Sequence, residues 1–172
     1  MIKGIIFDFD GVITESVHIK SDGFREIYKS YGSSIVRKVV NHHEAHGGMD
    51  RFKKIRFYHK NFLNKVLSNQ DVNNIADQFS KYVFDEVVNA DYVPYVLEFI
   101  KQSYNNYKLF ISTGTPQNEI KKILKVKKIA KYFKSVHGSP MSKTNHIKFI
   151  CRDNNMKHDE LIFFGDANSD LE

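Results

Sequence analysis

One strand-like run opens this chain, and no second run of that kind appears until after residue 91. The opening letters MIKGIIFDFDG bring β-branched and aromatic residues together in a short apolar run, which predicts a buried strand that delivers Asp8 and Asp10 at its end. From residue 15 to residue 89 the apolar residues instead recur at helical spacing. The chain must therefore complete its sheet with strands that come much later in the sequence.

The block from residue 15 to residue 89 is predicted to contain helices and no strand. Three apolar faces at helical spacing lie around residues 24–31, 52–66 and 79–87, and the second of them is strongly aromatic. A break between helices is expected at residues 69–71.

From residue 91 onward, helix and strand patterns alternate. The predicted order is helix 94–104, strand 108–112, helix 116–124, strand 135–137, helix 142–154 and strand 160–164. Pro94 and Pro116 stand where a first-turn proline belongs. This alternation predicts an α/β fold with a parallel sheet that is covered on both faces, and ligands of such sheets bind at the carboxyl ends of the strands.

A chain of 172 residues, 41% of them hydrophobic, can bury one good core, so one domain or one domain with an elaborate insertion is expected. Cys151 is the single cysteine, which excludes an internal disulfide framework and favours a reducing compartment. The N-terminus has no signal-peptide pattern, and no apolar run is long enough to span a membrane. We therefore expect a soluble, cytoplasmic protein.

The net charge of +6 fits attraction to phosphorylated small molecules, nucleic acid or an anionic surface, and its sign does not choose among them. Many of the lysines lie along residues 121–131, where a solvated helix face is the simpler interpretation. A nucleic-acid or membrane partner is therefore not expected.

Three further strand ends carry polar groups that can join Asp8 and Asp10. The letters STGTP offer hydroxyls and a glycine turn, GSPMSK places Lys143 in the first turn of a helix, and FFGDANSD supplies Asp166 and Asp170. Taken singly, each stretch has an ordinary explanation as a turn, a cap or a surface residue. Together, four carboxylates require a compensating cation, and an oxygen-rich set without His or Cys suits Mg²⁺. Such a site can receive a dianion, with one aspartate attacking phosphorus and the other handling a proton.

These motifs, in this order, resemble those of the haloacid dehalogenase superfamily in its phosphatase and phosphomutase branch: DFDGV, STGTP, the lysine of GSPMSK, and GDANSD. The resemblance covers essentially the whole chain. It implies an α/β fold whose three-layer, Rossmann-like parallel sheet core is formed by residues 1–14 and 89–172. It also implies an all-helical cap, residues 15–88, inserted after the first motif.

The resemblance implies a role for each motif residue. Asp8 is the expected nucleophile that forms an aspartyl-phosphate, and Asp10 is the acid that protonates the leaving oxygen and later activates water. Thr113 and the N–H group of Gly114 would hold the transferring phosphoryl group, while Lys143 offsets its charge and that of Asp8.

The metal and the choice of hydroxyl follow from the same resemblance. The expected ligands of Mg²⁺ are Asp8, the backbone carbonyl of Asp10, Asp166 and Asp170. Ser112 is the alternative to Thr113 as the motif hydroxyl, and the letters GTPQ favour Thr113. An acid at position 10 favours phosphoryl transfer over dehalogenation, because the displacement of halide does not need one.

The cap sequence HHEAHGGMDRF contains the pattern Gly-x-x-Arg, from Gly48 to Arg51, which resembles the substrate-covering loop of phosphomutases and related phosphatases. Arg51 is expected either to grip a distal carboxylate, phosphate or hydroxyl of the substrate, or to be an exposed residue at a helix N-terminus. The histidines of this stretch have spacings compatible with a metal, but an exposed cluster is the preferred interpretation: His42, His43 and His46.

The sequence stops at Leu171 and Glu172, where the resemblance implies a further helix and strand. The C-terminal end of the core is therefore expected to be missing, and the strand at 160–164 to be an uncovered apolar edge through which oligomers can form. The predicted function is a Mg²⁺-dependent phosphatase of a small phosphorylated metabolite. A sugar phosphomutase and a non-catalytic phosphate- or partner-binding domain are the alternatives.

Overall fold

The computed structural model describes residues 1–167 and residue 170 of the chain, so the expectation drawn from residues 171 and 172 lies outside the described residues. In chain order the elements are β1 (Gly4–Phe7), α1 (Val17–Tyr28), α2 (Ser33–Ala45), α3 (Arg51–Phe62), α4 (Asn69–Asn89), α5 (Val96–Ser103), β2 (Lys108–Pro116), α6 (Gln117–Val126), β3 (Ser135–Ser139), α7 (Lys143–Asn154) and β4 (Leu161–Phe164). Short 3₁₀ turns precede α2, β3 and β4.

The strands of the described chain form one parallel sheet in the order β3-β2-β1-β4. β1 lies inside the sheet, where Gly4 pairs with Lys108 of β2 on one side and with Leu161 of β4 on the other. All four residues of β1 are buried, as expected for an apolar run in a parallel sheet with both faces covered. The predicted parallel α/β architecture is confirmed.

Helices cover both faces of the sheet, because side chains along each strand alternate between the faces. Ile6 packs on one face in a cluster that includes Ile150 of α7. Phe7 points to the opposite face and belongs to the larger core, which contains Ile100 of α5 and Ile123 of α6. The core therefore has the three layers that the sequence predicts.

Helices α1 to α4 form the cap, which enters the chain between β1 and β2. Its interior is aromatic, with Phe24 of α1 packed against Tyr58 of α3 and Phe79 of α4. Gly23 allows α1 and α4 to approach closely, since a Cβ atom at this position would lie 2.5 Å from a methyl group of Val83. None of the helices in the described part of the chain is long and apolar enough to cross a membrane.

Several boundaries differ from the predictions. α5 begins at Val96 with Tyr95 as its N-cap, so Pro94 lies before the helix and not in its first turn. The expected break at 69–71 is instead the first turn of α4, because Ser68 and Asp71 form a capping box that starts the helix there. β2 continues to Pro116, with an irregular register against β3 after Ser112, so the STGTP motif lies within the strand and does not follow it. Pro116 is the N-cap of α6, outside its first turn.

Candidate active site

The predicted site residues converge at the carboxyl edge of the sheet. Asp8 and Asp10 follow β1, Thr113 and Gly114 lie in the last part of β2, and Lys143 is the first residue of α7. The Ser142 hydroxyl accepts a hydrogen bond from the N–H group of Asn145 and so caps the N-terminus of α7. Lys143 is therefore the first helical residue, and its side chain reaches Asp8 at the end of β1. The loop after β4 supplies Asp166 and Asp170.

Asp8 is buried and is held by one cation and one backbone donor. Its Oδ2 atom accepts from Lys143 Nζ at 2.6 Å, and its Oδ1 atom accepts from the N–H group of Phe9 at 2.6 Å. Burial raises the pKa of Asp8 to about 6, while the charge and hydrogen bond of Lys143 act in the opposite direction. Lys143 also contacts Asp170, so one ammonium group serves two carboxylates.

Asp8, Asp166 and Asp170 form a cluster of carboxylates in which one oxygen of each lies within 4.8 Å of the others. Burial and then the charge of Asp170 raise the pKa of Asp166, as expected when like charges are crowded. Gly11, with φ of +80°, leaves room for the cluster, because a Cβ atom there would lie 2.1 Å from a carboxylate oxygen of Asp166. This donor set of hard oxygens fits Mg²⁺.

The Asp10 side chain points away from the carboxylate cluster and toward the cap. Its Oδ1 atom accepts from Ser16 Oγ at 2.6 Å and its Oδ2 atom from Thr115 Oγ1 at 3.1 Å. Lys20 Nζ lies 3.5 Å from the same Oδ2 atom. Asp8 and Asp10 therefore lie in separate environments, one beside the potential metal ligands and one at the boundary of cap and core.

The two candidate hydroxyls of the second motif face different surroundings. Ser112 is fully buried and its Oγ atom lies 2.8 Å from Nδ1 of His146, in the interior of the core. Thr113 and Gly114 line the cavity at the strand ends, and Thr113 Oγ1 accepts from the N–H group of Thr115 at 3.2 Å. Only Thr113 of the two stands where a ligand in this cavity can reach it.

A cavity of about 410 Å³ separates the strand ends from the cap. A volume of this order suits a small ligand. Its wall also includes side chains that the sequence motifs do not assign to substrate or phosphate binding: Lys20, Phe24, His43, Lys54, Phe79 and Thr115. Five of them lie on cap helices, where helical spacing alone does not show which side faces the cavity, because this depends on how the helices pack; Thr115 lies at the end of β2.

The cap loop rests on the core at two of the motif segments. A Cβ atom at Gly114 would lie 2.5 Å from the carbonyl oxygen of Gly48, and one at Gly47 would lie 2.8 Å from the Cβ atom of Ala167. Gly48 has φ of +72°, in the region that favours glycine. The glycines thus let two backbones meet at the edge of the cavity.

Arg51 is the first residue of α3, as one interpretation expected, but it is buried, so the expectation that it is exposed is wrong. Its guanidinium donates to both carboxylate oxygens of Glu119 on α6, each at 2.9 Å, and lies over the ring of Phe79. Although burial raises the pKa of Glu119, the hydrogen bonds and charge of Arg51 hold it at about 2. No local sequence pattern predicts this partner, because Glu119 follows Arg51 by 68 positions.

The histidines of the cap do not share a common centre. The rings of His42 and His46 stack at 4.0 Å, whereas His43 contacts Lys54. Across residues 1–167 and 170, the carboxylate cluster is the group of three or more side chains placed to hold a metal ion.

Comparisons with known proteins agree with this architecture. The family model described as haloacid dehalogenase-like hydrolase matches residues 5–172. Solved structures that resemble the chain include a β-phosphoglucomutase from Clostridium difficile (TM-score 0.80, 21% identity), a predicted phosphatase from Clostridium acetobutylicum (0.75, 17%) and a predicted phosphoglycolate phosphatase from Haemophilus somnus (0.73, 18%). Each of these alignments covers 99% of this chain and 79% of the other.

At these identities the structural likeness shows the fold alone. Among curated proteins, none matches this sequence significantly. The family match nevertheless spans almost the entire chain, from the second residue of β1 to the C-terminus, and includes every strand end described above. By this match and by its fold, the chain belongs to the haloacid dehalogenase-like hydrolases.

Proposed function

We propose that this protein is a Mg²⁺-dependent phosphatase that hydrolyses a small phosphorylated metabolite through an aspartyl-phosphate on Asp8. One observation carries the proposal: the Asp8 carboxylate is paired with Lys143 beside two further acids, while Asp10 faces the cavity from a separate environment. Two carboxylates with different partners suit two different chemical roles.

In the proposed reaction, an oxygen of Asp8 attacks phosphorus, and the bond from phosphorus to the ester oxygen breaks. Asp10 gives its proton to the departing oxygen. Asp10 then takes a proton from water, which attacks the phosphorus of the aspartyl-phosphate and restores Asp8. Thr113 Oγ1 and the N–H group of Gly114 would bind the phosphoryl oxygens, and Lys143 offsets negative charge as the phosphoryl group moves.

Mg²⁺ would be held by Asp8, the backbone carbonyl of Asp10, Asp166 and Asp170. When bound, it would screen the repulsion between the carboxylates and the incoming dianion. The closeness of three carboxylates supports this choice, since crowded acids at neutral pH are stabilised by a cation.

A phosphomutase is the second candidate. The contact of Gly48 with Gly114 favours it, because a cap that covers the phosphoryl site limits the access of water. A non-catalytic domain that binds a phosphate compound or a partner, as the net charge of +6 allows, is the alternative from another class. The cytoplasmic location remains a prediction from the sequence.

Phosphate release tests the proposal. The purified protein should release inorganic phosphate from one or more members of a panel of phosphorylated metabolites, and chelation of Mg²⁺ should abolish this release. A phosphomutase would instead return the phosphoryl group to a sugar, which is detected as isomerised sugar phosphate. Binding of phosphorylated compounds without release or transfer in the presence of Mg²⁺ would favour the non-catalytic alternative and contradict the proposal.

A further inference from the structure

Three buried cations of the cap border the cavity: Lys20, Arg51 and Lys54. Two of them have acidic partners. Lys20 Nζ lies 3.5 Å from Asp10 Oδ2, and the Arg51 guanidinium forms a bidentate pair with Glu119. The charges of Lys20 and Arg51 are thus compensated within the folded protein.

Lys54 differs from the other two in having neutral partners. Its Nζ atom donates to Nδ1 of His43 at 2.7 Å and to the backbone carbonyl of His43 at 3.1 Å. Burial, and after it the charge of Lys54, lowers the pKa of His43 to about 3, so this imidazole is neutral at pH 7. Among residues 1–167 and 170, no carboxylate oxygen lies within 4.0 Å of Lys54 Nζ.

The position of Lys54 is costly for a cation without an anion. Its side chain is 2% exposed. Burial lowers its pKa to about 7, with the charge of Lys20 acting in the same direction and that of Asp10 in the opposite one. An anion in the adjoining cavity would compensate this charge, and the attraction would be strong because little water surrounds the pair.

We infer that Lys54 binds a second anionic group of the substrate, a carboxylate or a further phosphate, on the cap side of the cavity. The inference rests on the proposed function, which places the transferring phosphoryl group at Asp8 on the opposite side. Lys54 thereby takes the distal-group role that the sequence suggested for Arg51, whose donors are occupied by Glu119. The substrate class is a phosphomonoester that carries a carboxylate or a second phosphate.

Three non-hydrolysable ligands test this inference by binding alone. Propylphosphonate has one anionic group, 3-phosphonopropionate adds a carboxylate, and propane-1,3-bisphosphonate adds a second phosphonate. Calorimetric titration of the full chain in Mg²⁺ should give a dissociation constant at least tenfold lower for one of the doubly anionic ligands than for propylphosphonate. The ligand with the larger gain identifies the preferred second group.

Lys54→Met removes the charge and keeps an apolar side chain of similar length. We expect it to abolish the tenfold preference and to leave the dissociation constant of propylphosphonate within twofold. Lys53→Met is the matched control, because Lys53 is exposed on the same helix and should leave both constants unchanged. Lys54→Arg, which retains a cation, should preserve part of the preference, and circular dichroism checks that each variant folds.

The outcomes separate this inference from the proposed function. Equal affinity of the wild-type protein for all three ligands, or no binding of any of them, overturns the role of Lys54 without any variant being needed. A preference that survives in folded Lys54→Met also overturns it. If the preference depends on Lys54 but no phosphomonoester is hydrolysed, the hydrolytic function fails and the anion site stands.

Discussion

At the scale of single residues, Asp8 shows how the site balances opposing effects on one carboxylate. Burial favours its protonated form, whereas Lys143 at 2.6 Å favours the carboxylate that a nucleophile requires. Lys143 is itself fixed between Asp8 and Asp170. The Asp8 carboxylate is therefore held in one orientation, which in the proposed reaction would lower the entropic cost of its attack on phosphorus.

Asp8→Asn should abolish phosphate release while the protein remains folded. The amide keeps the shape of the side chain but lacks the charge and the nucleophilic oxygen, so we expect activity to fall at least a thousandfold, on the order of what the loss of a catalytic nucleophile costs. Phosphate release and circular dichroism provide the two measurements. Asp77→Asn, an exposed position on α4, is the control. Wild-type turnover by Asp8→Asn would exclude Asp8 as the nucleophile.

His146 links the second and third motifs from inside the core. Its Nδ1 atom lies 2.8 Å from Ser112 Oγ, and its Nε2 atom lies 3.2 Å from the Gly138 carbonyl. Burial, followed by the charge of His137, lowers the pKa of His146 to about 4. The neutral ring therefore donates from Nε2 to Gly138 and accepts at Nδ1 from Ser112, one turn of α7 after Lys143.

This arrangement predicts a loss of stability in acid. Because the folded-state pKa lies below the ordinary 6.5, the unfolded chain binds the proton more readily, and stability falls as pH decreases from 6.5 to about 4. The contribution of His146 is about 3 kcal/mol over this window. Urea unfolding of His146→Asn should lack this part of the decrease, whereas the exposed His18→Asn should follow the wild-type curve. Identical pH dependence of His146→Asn and wild type would contradict the assignment.

At the scale of elements, the cap and the core are joined by a buried ion pair between α3 and α6. Arg51 and Glu119 are 6% and 8% exposed, and Ser80 of α4 donates to the same carboxylate. Burial makes each of these charges dependent on the other, since either one alone would remain poorly solvated.

Replacing only Arg51 should lower the free energy of unfolding more than replacing both Arg51 and Glu119. Arg51→Met leaves Glu119 buried with Lys20 at 4.0 Å as its nearest ion-pair partner, and we expect a loss of about 3–5 kcal/mol in the free energy of unfolding. The double variant Arg51→Met/Glu119→Gln should recover a large part of this loss. Urea unfolding measures the full cycle, with the exposed Arg56→Met of the same helix as the control. Strict additivity of the two single changes would show that the pair is not coupled.

At the scale of the whole molecule, the sequence predicts the sheet and the motif positions better than the cap. β1, β4 and the start of β2 could be located because apolar runs are local signals, whereas the continuation of β2 to Pro116 was missed because the polar STGTP motif interrupts its apolar run. The orientation of Lys54 toward the cavity could not be predicted, since it depends on how α3 packs against α1 and α4. The pairing of Arg51 with Glu119 likewise depends on tertiary structure, because α3 and α6 are distant in sequence.

We predict that the protein self-associates through β4, at the edge of the sheet. Within the sheet that the described residues form, β4 pairs only with β1, and Ile162 and Phe164 are 40% and 41% exposed. An apolar strand with free backbone groups can pair with a second copy. Light scattering should show a mass that rises with concentration, and Ile162→Lys should suppress the rise. Val66→Lys, at an exposed residue outside the sheet, is the control. A concentration-independent monomer would contradict this prediction.

The backbone contact between Gly48 and Gly114 affects which molecule would accept the phosphoryl group, water or a sugar. In the proposed reaction, this contact would hinder bulk water from reaching a phosphoryl group on Asp8, and would favour its transfer to a molecule already bound in the cavity. The choice between water and a sugar as acceptor would then depend on two times: how long the two backbones stay in contact, and how long the proposed aspartyl-phosphate survives. Gly114→Ala would place a Cβ atom 2.5 Å from the Gly48 carbonyl oxygen, so we expect it to separate the two backbones and to raise the share of inorganic phosphate among the products.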